Sequence, residues 1–138
     1  MDKIVYVAMC ADILHVGHLN IISKAVELGR VVVGLLTEEA ILSYKELDPL
    51  FSFNGRREIV SNIVGVSEVI PQDTLSYIEN LEKLRPDYVV HGDDWKKGVQ
   101  KKIRQEVIDI LAKWGGELIE IPYTKGVSSS EIKRRIRE

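Results

Sequence analysis

Two histidines three positions apart, His15 and His18, bracket Gly17 where a strand pattern gives way to a helical one. Residues 5–8 read as the end of a buried strand, and Leu19, Ile22, Ala25, Val26 and Leu28 mark an apolar helical stripe. A glycine at such a join lets backbone approach a ligand closely, and the N–H groups of a helix start favour an anion. The imidazoles add donors. This is the equipment of a phosphate site, and it suits displacement at phosphorus. When a phosphate oxygen displaces pyrophosphate from the α-phosphorus of a nucleotide, negative charge spreads over the equatorial oxygens. Positioned N–H donors lower that barrier without a covalent intermediate. His15 and His18 are the candidate donors, and Gly17 keeps side-chain bulk away. The same spacing also arises as a plain helix start or as half a metal site, although Cys10 and His91 do not complete a zinc-type spacing with it.

Three other stretches carry usable chemistry. Gly92-Asp93-Asp94-Trp95 follows an apolar run ending in His91. Its paired carboxylates suit a base amino group, a ribose hydroxyl or a hydrated divalent cation, and they equally suit a simple turn. Trp95 is placed to sit over a nucleobase, whereas His91 reads as a core histidine and Trp114, before Gly115-Gly116, as packing. Gly126-Val127-Ser128-Ser129-Ser130-Glu131 has the spacing of a capping box from Ser128 to Glu131, a geometry that also offers hydroxyls and N–H groups to an anion, with Thr124 and Lys125 just upstream. Lys45 lies in an irregular stretch and Arg56-Arg57 open the next helical pattern. A lysine there either closes over a triphosphate as a point charge or is an ordinary surface lysine.

The elements that must position these groups alternate. Strand-length apolar runs at 4–8, 31–36, 69–70, 88–91 and 118–121 are separated by helical patterns at 18–28, 54–63, 76–84, 101–114 and 129–137. Short strands apolar on both sides, joined through helices, predict an α/β fold: a single-domain, doubly wound parallel sheet of Rossmann-like type. Ligands of such sheets bind beyond the carboxyl ends of the strands, which is where the polar segments fall. Residues 44–53, with Pro49 and Phe51, read as a mobile loop.

Size and charge narrow the field. The 138 residues fit one domain spanning 1–138, and 19 Lys+Arg against 21 Asp+Glu give a net charge of -2, with no basic field for nucleic acid. Lys133-Arg134-Arg135-Ile136-Arg137 reads as the solvated face of a last helix or as a phosphate-facing patch. One cysteine cannot form an internal disulfide, and no long apolar run or leader pattern is seen, so a cytoplasmic protein with no membrane partner is expected.

Taken in order, these segments resemble the cytidylyltransferases of the glycerol-3-phosphate, phosphocholine and phosphoethanolamine type. Residues 12–18 look like that family's HxGH segment, residues 92–95 like its Gly-Asp-Asp-Trp turn and residues 126–129 like its Gly-Ile-Ser-Thr anion loop. HxGH alone also occurs in adenylyltransferases and class I synthetases, so ATP as donor is the competing expectation. The resemblance implies CTP with magnesium, catalysis by His15, His18 and Lys45, and a homodimer. It assigns the nucleotide to Ala8, Met9, Cys10, Gly17, His91, Asp93, Asp94, Tyr123, Thr124, Val127, Ser128 and Ser129, and the acceptor to Asp12, Arg56, Arg57 and Trp95. There are departures. Met9-Cys10-Ala11-Asp12 stands where glycerol-3-phosphate enzymes carry Gly-Thr-Phe-Asp, Tyr123 and Val64 stand where they carry arginines, and Lys125 or Arg57 would have to compensate. The residue pattern looks closer to the cytidylyltransferase domains of phosphonate biosynthesis. A small phosphonate, 2-hydroxyethylphosphonate or phosphonopyruvate, is therefore the expected acceptor, with glycerol 3-phosphate or a phosphorylated amino-alcohol as the alternative and a nucleotide-sensing module without turnover as the non-enzymatic one.

Overall fold

Valine-rich runs, β-branched and apolar on both sides, form the middle of the molecule as strands buried on both faces. The structure, a computed structural model, describes residues 2–44, 48–96, 98–122 and 129–137. Among these, strands β1 (Ile4–Met9), β2 (Arg30–Leu36), β3 (Val66–Gln72), β4 (Tyr88–Gly92) and β5 (Glu117–Ile121) make one parallel sheet in the order β3-β2-β1-β4-β5. The helices are α1 (Val16–Leu28), α2 (Glu38–Leu42), α3 (Phe53–Ser61), α4 (Ile78–Leu84), α5 (Val99–Ala112) and α6 (Ser129–Arg137). None of the described helices is long and apolar enough to cross a membrane.

Side chains alternate across the sheet, and each face has its own core. Val5, Val7 and Met9 of β1 with Val31, Val33 and Leu35 of β2 meet Ile22 and Ala25 of α1 and Val60 of α3. On the other face Tyr6, Val32 and Val89 meet Leu81 of α4 and Val107, Ile110 and Leu111 of α5. Each fully buried aliphatic side chain contributes about 1.5–3 kcal/mol, so the two cores hold the sheet between two helical layers. The predicted doubly wound fold is what forms. From β1 the sheet grows one way to β2 and β3 and the other way to β4 and β5, so a crevice opens beyond the carboxyl ends of β1 and β4.

One polar clip crosses this apolar interior. Tyr6 Oη donates to Gln72 Oε1 at 2.5 Å and accepts from Asn80 Nδ2 at 2.9 Å, while Asn80 Nδ2 also reaches Pro71 O at 3.0 Å. The phenol thus spans β2 to reach β3. Gly34 lies beneath it, and a Cβ at that position would meet Tyr6 Oη at 1.7 Å.

Two elements depart from expectation. β3 runs from Val66 to Gln72, well beyond 69–70, with Ser67, Glu68 and Pro71 exposed along an edge strand. Polar residues and proline are what an edge strand tolerates, and they erase the apolar signal. α2 was not expected: its five residues are too short to show periodicity, and Thr37 caps it by accepting from Ala40 N at 3.3 Å. The segment read as a mobile loop is tethered in part, since the Leu50 and Phe51 N–H groups donate to Asp12, and residues 45–47 lie outside the described ones.

Candidate active site

His15 is the N-cap of α1, and the two histidines cap each other's backbone. Gly17 N donates to His15 Nδ1 at 3.0 Å and His15 N donates to His18 Nδ1 at 3.1 Å, a capping box built from imidazoles. An imidazole that accepts at Nδ1 carries its proton on Nε2. The cap therefore fixes both tautomers with the proton of each ring on Nε2, and the ring centroids are 4.2 Å apart and tilted by 50°. Burial lowers the His15 pKa from its ordinary value of 6.5, which favours the neutral ring. The expected backbone anion site is corrected here. The N–H groups of His15 and Gly17 are taken by the caps and that of His18 by His15 O, so these amides are already engaged within the helix start.

Asp12 and Arg56 face inward, which corrects their expected role toward the acceptor. Asp12 is 3% exposed, its carboxylate accepting from Leu50 N at 2.8 Å and Phe51 N at 2.9 Å. Arg56, wholly buried, donates to Phe51 O at 3.1 Å, Cys10 O at 2.9 Å and Leu36 O at 2.7 Å, while its Nη2 has no partner among the described residues. Arg57, the next residue on α3, is exposed. Met9 is in the core, Ala8 and Cys10 are half-buried, and the Cys10 thiol is free, so at this strand end the backbone is the part suited to line a nucleotide.

Across the crevice Gly92-Asp93-Asp94-Trp95 forms the end of β4 and a single 3-10 turn, with Asp93 and Asp94 exposed. Trp95 is 1% exposed and presents no face to a ligand, a third correction. Its ring stacks on His91 at 3.6 Å and 5°, and its Nε1 donates to Glu120 Oε2 at 2.9 Å. Arg104 of α5 grips the same carboxylate with Nε at 3.0 Å and Nη2 at 2.8 Å. The Arg104 hydrogen bond, then that of Trp95, holds the Glu120 carboxyl down to about 2. His91 Nδ1 donates to Gly92 O at 2.8 Å, and burial lowers its pKa below 6.5. His91 thus braces the turn from beneath.

Arg104 and Glu120 were missed by the sequence reading. The signal available was one carboxylate inside Leu118-Ile119-Glu120-Ile121, where an apolar strand has no use for a charge unless something pairs with it. The structure brings His15, His18, Gly17, Cys10, Asp93 and Asp94 to the carboxyl end of the sheet. Lys45, Tyr123, Thr124, Val127 and Ser128 lie outside the described residues, and Ser129 is described only as the first residue of α6. Among the described residues no group of three or more His, Cys, Asp or Glu side chains could hold a metal ion.

Known proteins resemble this chain in sequence and fold. The chain is 34% identical over 125 residues to the glycerol-3-phosphate cytidylyltransferase of Bacillus spizizenii, covering 89% of this chain and 88% of that one. It is 32% identical to the ethanolamine-phosphate cytidylyltransferase of Arabidopsis thaliana, over 96% of this chain and 32% of that one. It is 29% identical to the bifunctional protein HldE of Magnetococcus marinus, matching 98% of this chain but spanning only 27% of that protein. The lipopolysaccharide core biosynthesis protein of Thermoplasma volcanium superposes with a TM-score of 0.76 at 21% identity, over 91% of this chain and 100% of that one, which establishes the shared fold. Residues 8–135 match the family described as cytidylyltransferase-like, and with the imidazole-capped helix at the sheet's switch point the chain belongs to that family.

Proposed function

We propose that this chain transfers CMP from CTP to a phosphate oxygen of a small phosphomonoester, glycerol 3-phosphate or phosphoethanolamine in class, and releases pyrophosphate. The observation that carries it is the reciprocal cap of His15 and His18, which fixes both imidazoles beside the carboxyl end of β1 with their protons on Nε2. The acceptor oxygen forms a bond to the α-phosphorus while the α–β bridging P–O bond breaks, and pyrophosphate leaves with the electron pair. The histidine donors bind the oxygens on which charge gathers. Lys45, Thr124, Ser128 and Ser129 complete the phosphate contacts in this reading, with backbone at Ala8–Cys10 along the nucleotide and Asp93 and Asp94 toward ribose, base or the cation that CTP brings. Asp93 and Asp94, exposed carboxylates and hard oxygen donors, would help hold a magnesium ion brought with CTP, which would supply charge neutralisation at the triphosphate. The names of the two cytidylyltransferase relatives favour a phosphomonoester over the phosphonate expected from the pattern of residues 9–18 and 122–130.

The same reading includes a second copy of the chain. Val16, Leu19 and Val26 expose one apolar stripe of α1, and Val64, in the turn beside Val26, is 94% exposed. Val26 lies against the turn carrying Val64, since a Cβ on Gly65 would meet its Cγ2 at 2.4 Å. Pyrophosphate release with magnesium and CTP, against ATP, over glycerol 3-phosphate, phosphoethanolamine, phosphocholine and 2-hydroxyethylphosphonate tests the reading. Turnover with CTP and a phosphomonoester supports it. Turnover only with ATP or only with the phosphonate overturns it, and CTP binding without release across the panel points to a sensing module.

A further inference from the structure

Ala11 has a φ of +53° and is 4% exposed, a left-handed conformation that a residue with a Cβ adopts only when its surroundings impose it. Its two neighbours show what imposes it. On one side the Cys10 carbonyl is held by Arg56 Nη1 at 2.9 Å, and on the other the Asp12 carboxylate is held by Leu50 N and Phe51 N at 2.8 and 2.9 Å. The circuit closes through Phe51, which donates its N–H to Asp12 and lends its carbonyl to Arg56 Nε at 3.1 Å. Arg56 also bonds Leu36 O at 2.7 Å, which ties the circuit to the end of β2.

We propose that Asp12 and Arg56 are positioning residues: together they form a latch that holds Ala11 left-handed and thereby sets where the following loop delivers His15. His15 comes four residues after Ala11 and is fixed from the other side by His18, so the loop from Cys10 to His15 is clamped at both ends. In this role both act through the backbone they hold, Asp12 through Leu50 and Phe51 and Arg56 through Cys10, Leu36 and Phe51. A guanidinium fork suits this task because one rigid plane reaches three carbonyls from three segments, which an ammonium cannot do. The Phe51 side chain is exposed while its backbone is gripped at both N–H and C=O, so the segment is held by its main chain rather than by apolar burial.

The latch rests on the CMP-transfer reading only for its kinetic consequence, and a second readout is independent of turnover. The full-length chain is compared with Asp12→Asn, Arg56→Lys, and Asp12→Asn combined with Ala11→Gly. Nitrogen-15 NMR reads the tautomers of its three histidines and hydrogen exchange reads the Leu50 and Phe51 amides. In Asp12→Asn those amides exchange about tenfold faster or more, and His15 passes from the Nε2–H tautomer to a mixture. With CTP, magnesium and glycerol 3-phosphate, kcat falls about tenfold or more while the Kd for CTP stays within about threefold. Ala11→Gly, which makes the left-handed conformation accessible without the latch, restores about threefold or more of the lost kcat and the His15 tautomer. If the His15 tautomer is unchanged while the two amides lose protection, Asp12 is a loop tether and the proposal fails. It fails equally if Ala11→Gly recovers neither signal. Arg56→Lys checks the second arm where it folds, and Asp12→Asn, close to isosteric, decides where it does not. A wild-type chain inactive with glycerol 3-phosphate refutes the acceptor and leaves the NMR and exchange arms to judge the latch.

Discussion

At His15 one side chain does two jobs, and substitutions separate them. Alanine removes both the cap acceptor and the Nε2–H donor, whereas asparagine keeps an acceptor for Gly17 N and loses only the donor. We expect His15→Ala to lose about 1 kcal/mol of stability in denaturant titration and His15→Asn only a few tenths. Both should lose about 3 kcal/mol of transition-state stabilisation in kcat, the cost of one missing oxyanion donor. Equal turnover for His15→Asn and wild type would end the donor role. Acid acts on the same atoms. Protonating His15 places a hydrogen on Nδ1 and severs the cap, so turnover should fall on the acid side with a midpoint below 6.5. Stability follows the same sign. The folded pKa values of His15 and His91 lie below their ordinary value of 6.5, so the unfolded chain binds more protons. Their contribution is complete above 6.5 and is lost as pH falls through the folded values. A melting temperature that does not fall between about pH 7 and pH 5, or a slope that His91→Gln leaves unchanged, would contradict this. Residue types near a helix start were readable from sequence, but their direction was not. Arg56 looked like an anion binder because its burial depends on carbonyls of the distant Cys10 and Leu36 meeting that of nearby Phe51, which no local pattern records.

At the scale of elements, α5 and β5 support a turn that belongs to β4. The Arg104–Glu120 pair and the Trp95 indole fasten the 3-10 turn bearing Asp93 and Asp94 to the neighbouring strand and helix. Glu120→Gln leaves the Arg104 cation partly unpaired at a site where the side chains are 29% and 17% exposed, and should cost about 1–3 kcal/mol in chemical denaturation. It should also raise KM for CTP more than it lowers kcat, because the turn is displaced while the imidazole pair is not. A fall in kcat with KM unchanged would place the turn's role elsewhere. β1, β2, β4 and β5 were legible to within a residue or two because their apolar runs are continuous, and α1 was legible apart from its first turn, which the histidine cap extends back to Val16. β3 was seen only at its buried centre, since an edge strand with one solvated face carries half the signal.

For the whole molecule, strand order decides where the site is. With β1 central and the winding reversed at β1 and β4, the imidazole cap and the paired carboxylates face one crevice although they stand far apart in sequence. If two copies meet over α1 and the turn beside it, a charge at the most exposed apolar position should part them. Val64→Asp should shift sedimentation from dimer to monomer with little change in melting temperature, and a wild-type chain that sediments as a monomer would remove the second copy from the reading. The clip through Gly34 has a different reach. Because the Tyr6 hydroxyl occupies the space of a Cβ at 34, the two positions are bound into one unit of change. Gly34→Ala alone should cost about 2 kcal/mol or more through overpacking, and the penalty should shrink in Tyr6→Leu/Gly34→Ala, whose ΔΔG is smaller than the sum of its parts. Once a side chain is installed at 34 the tyrosine has no way back, so in descent this pair behaves as a ratchet: a lineage that gives up the glycine gives up the strand-to-strand clip with it.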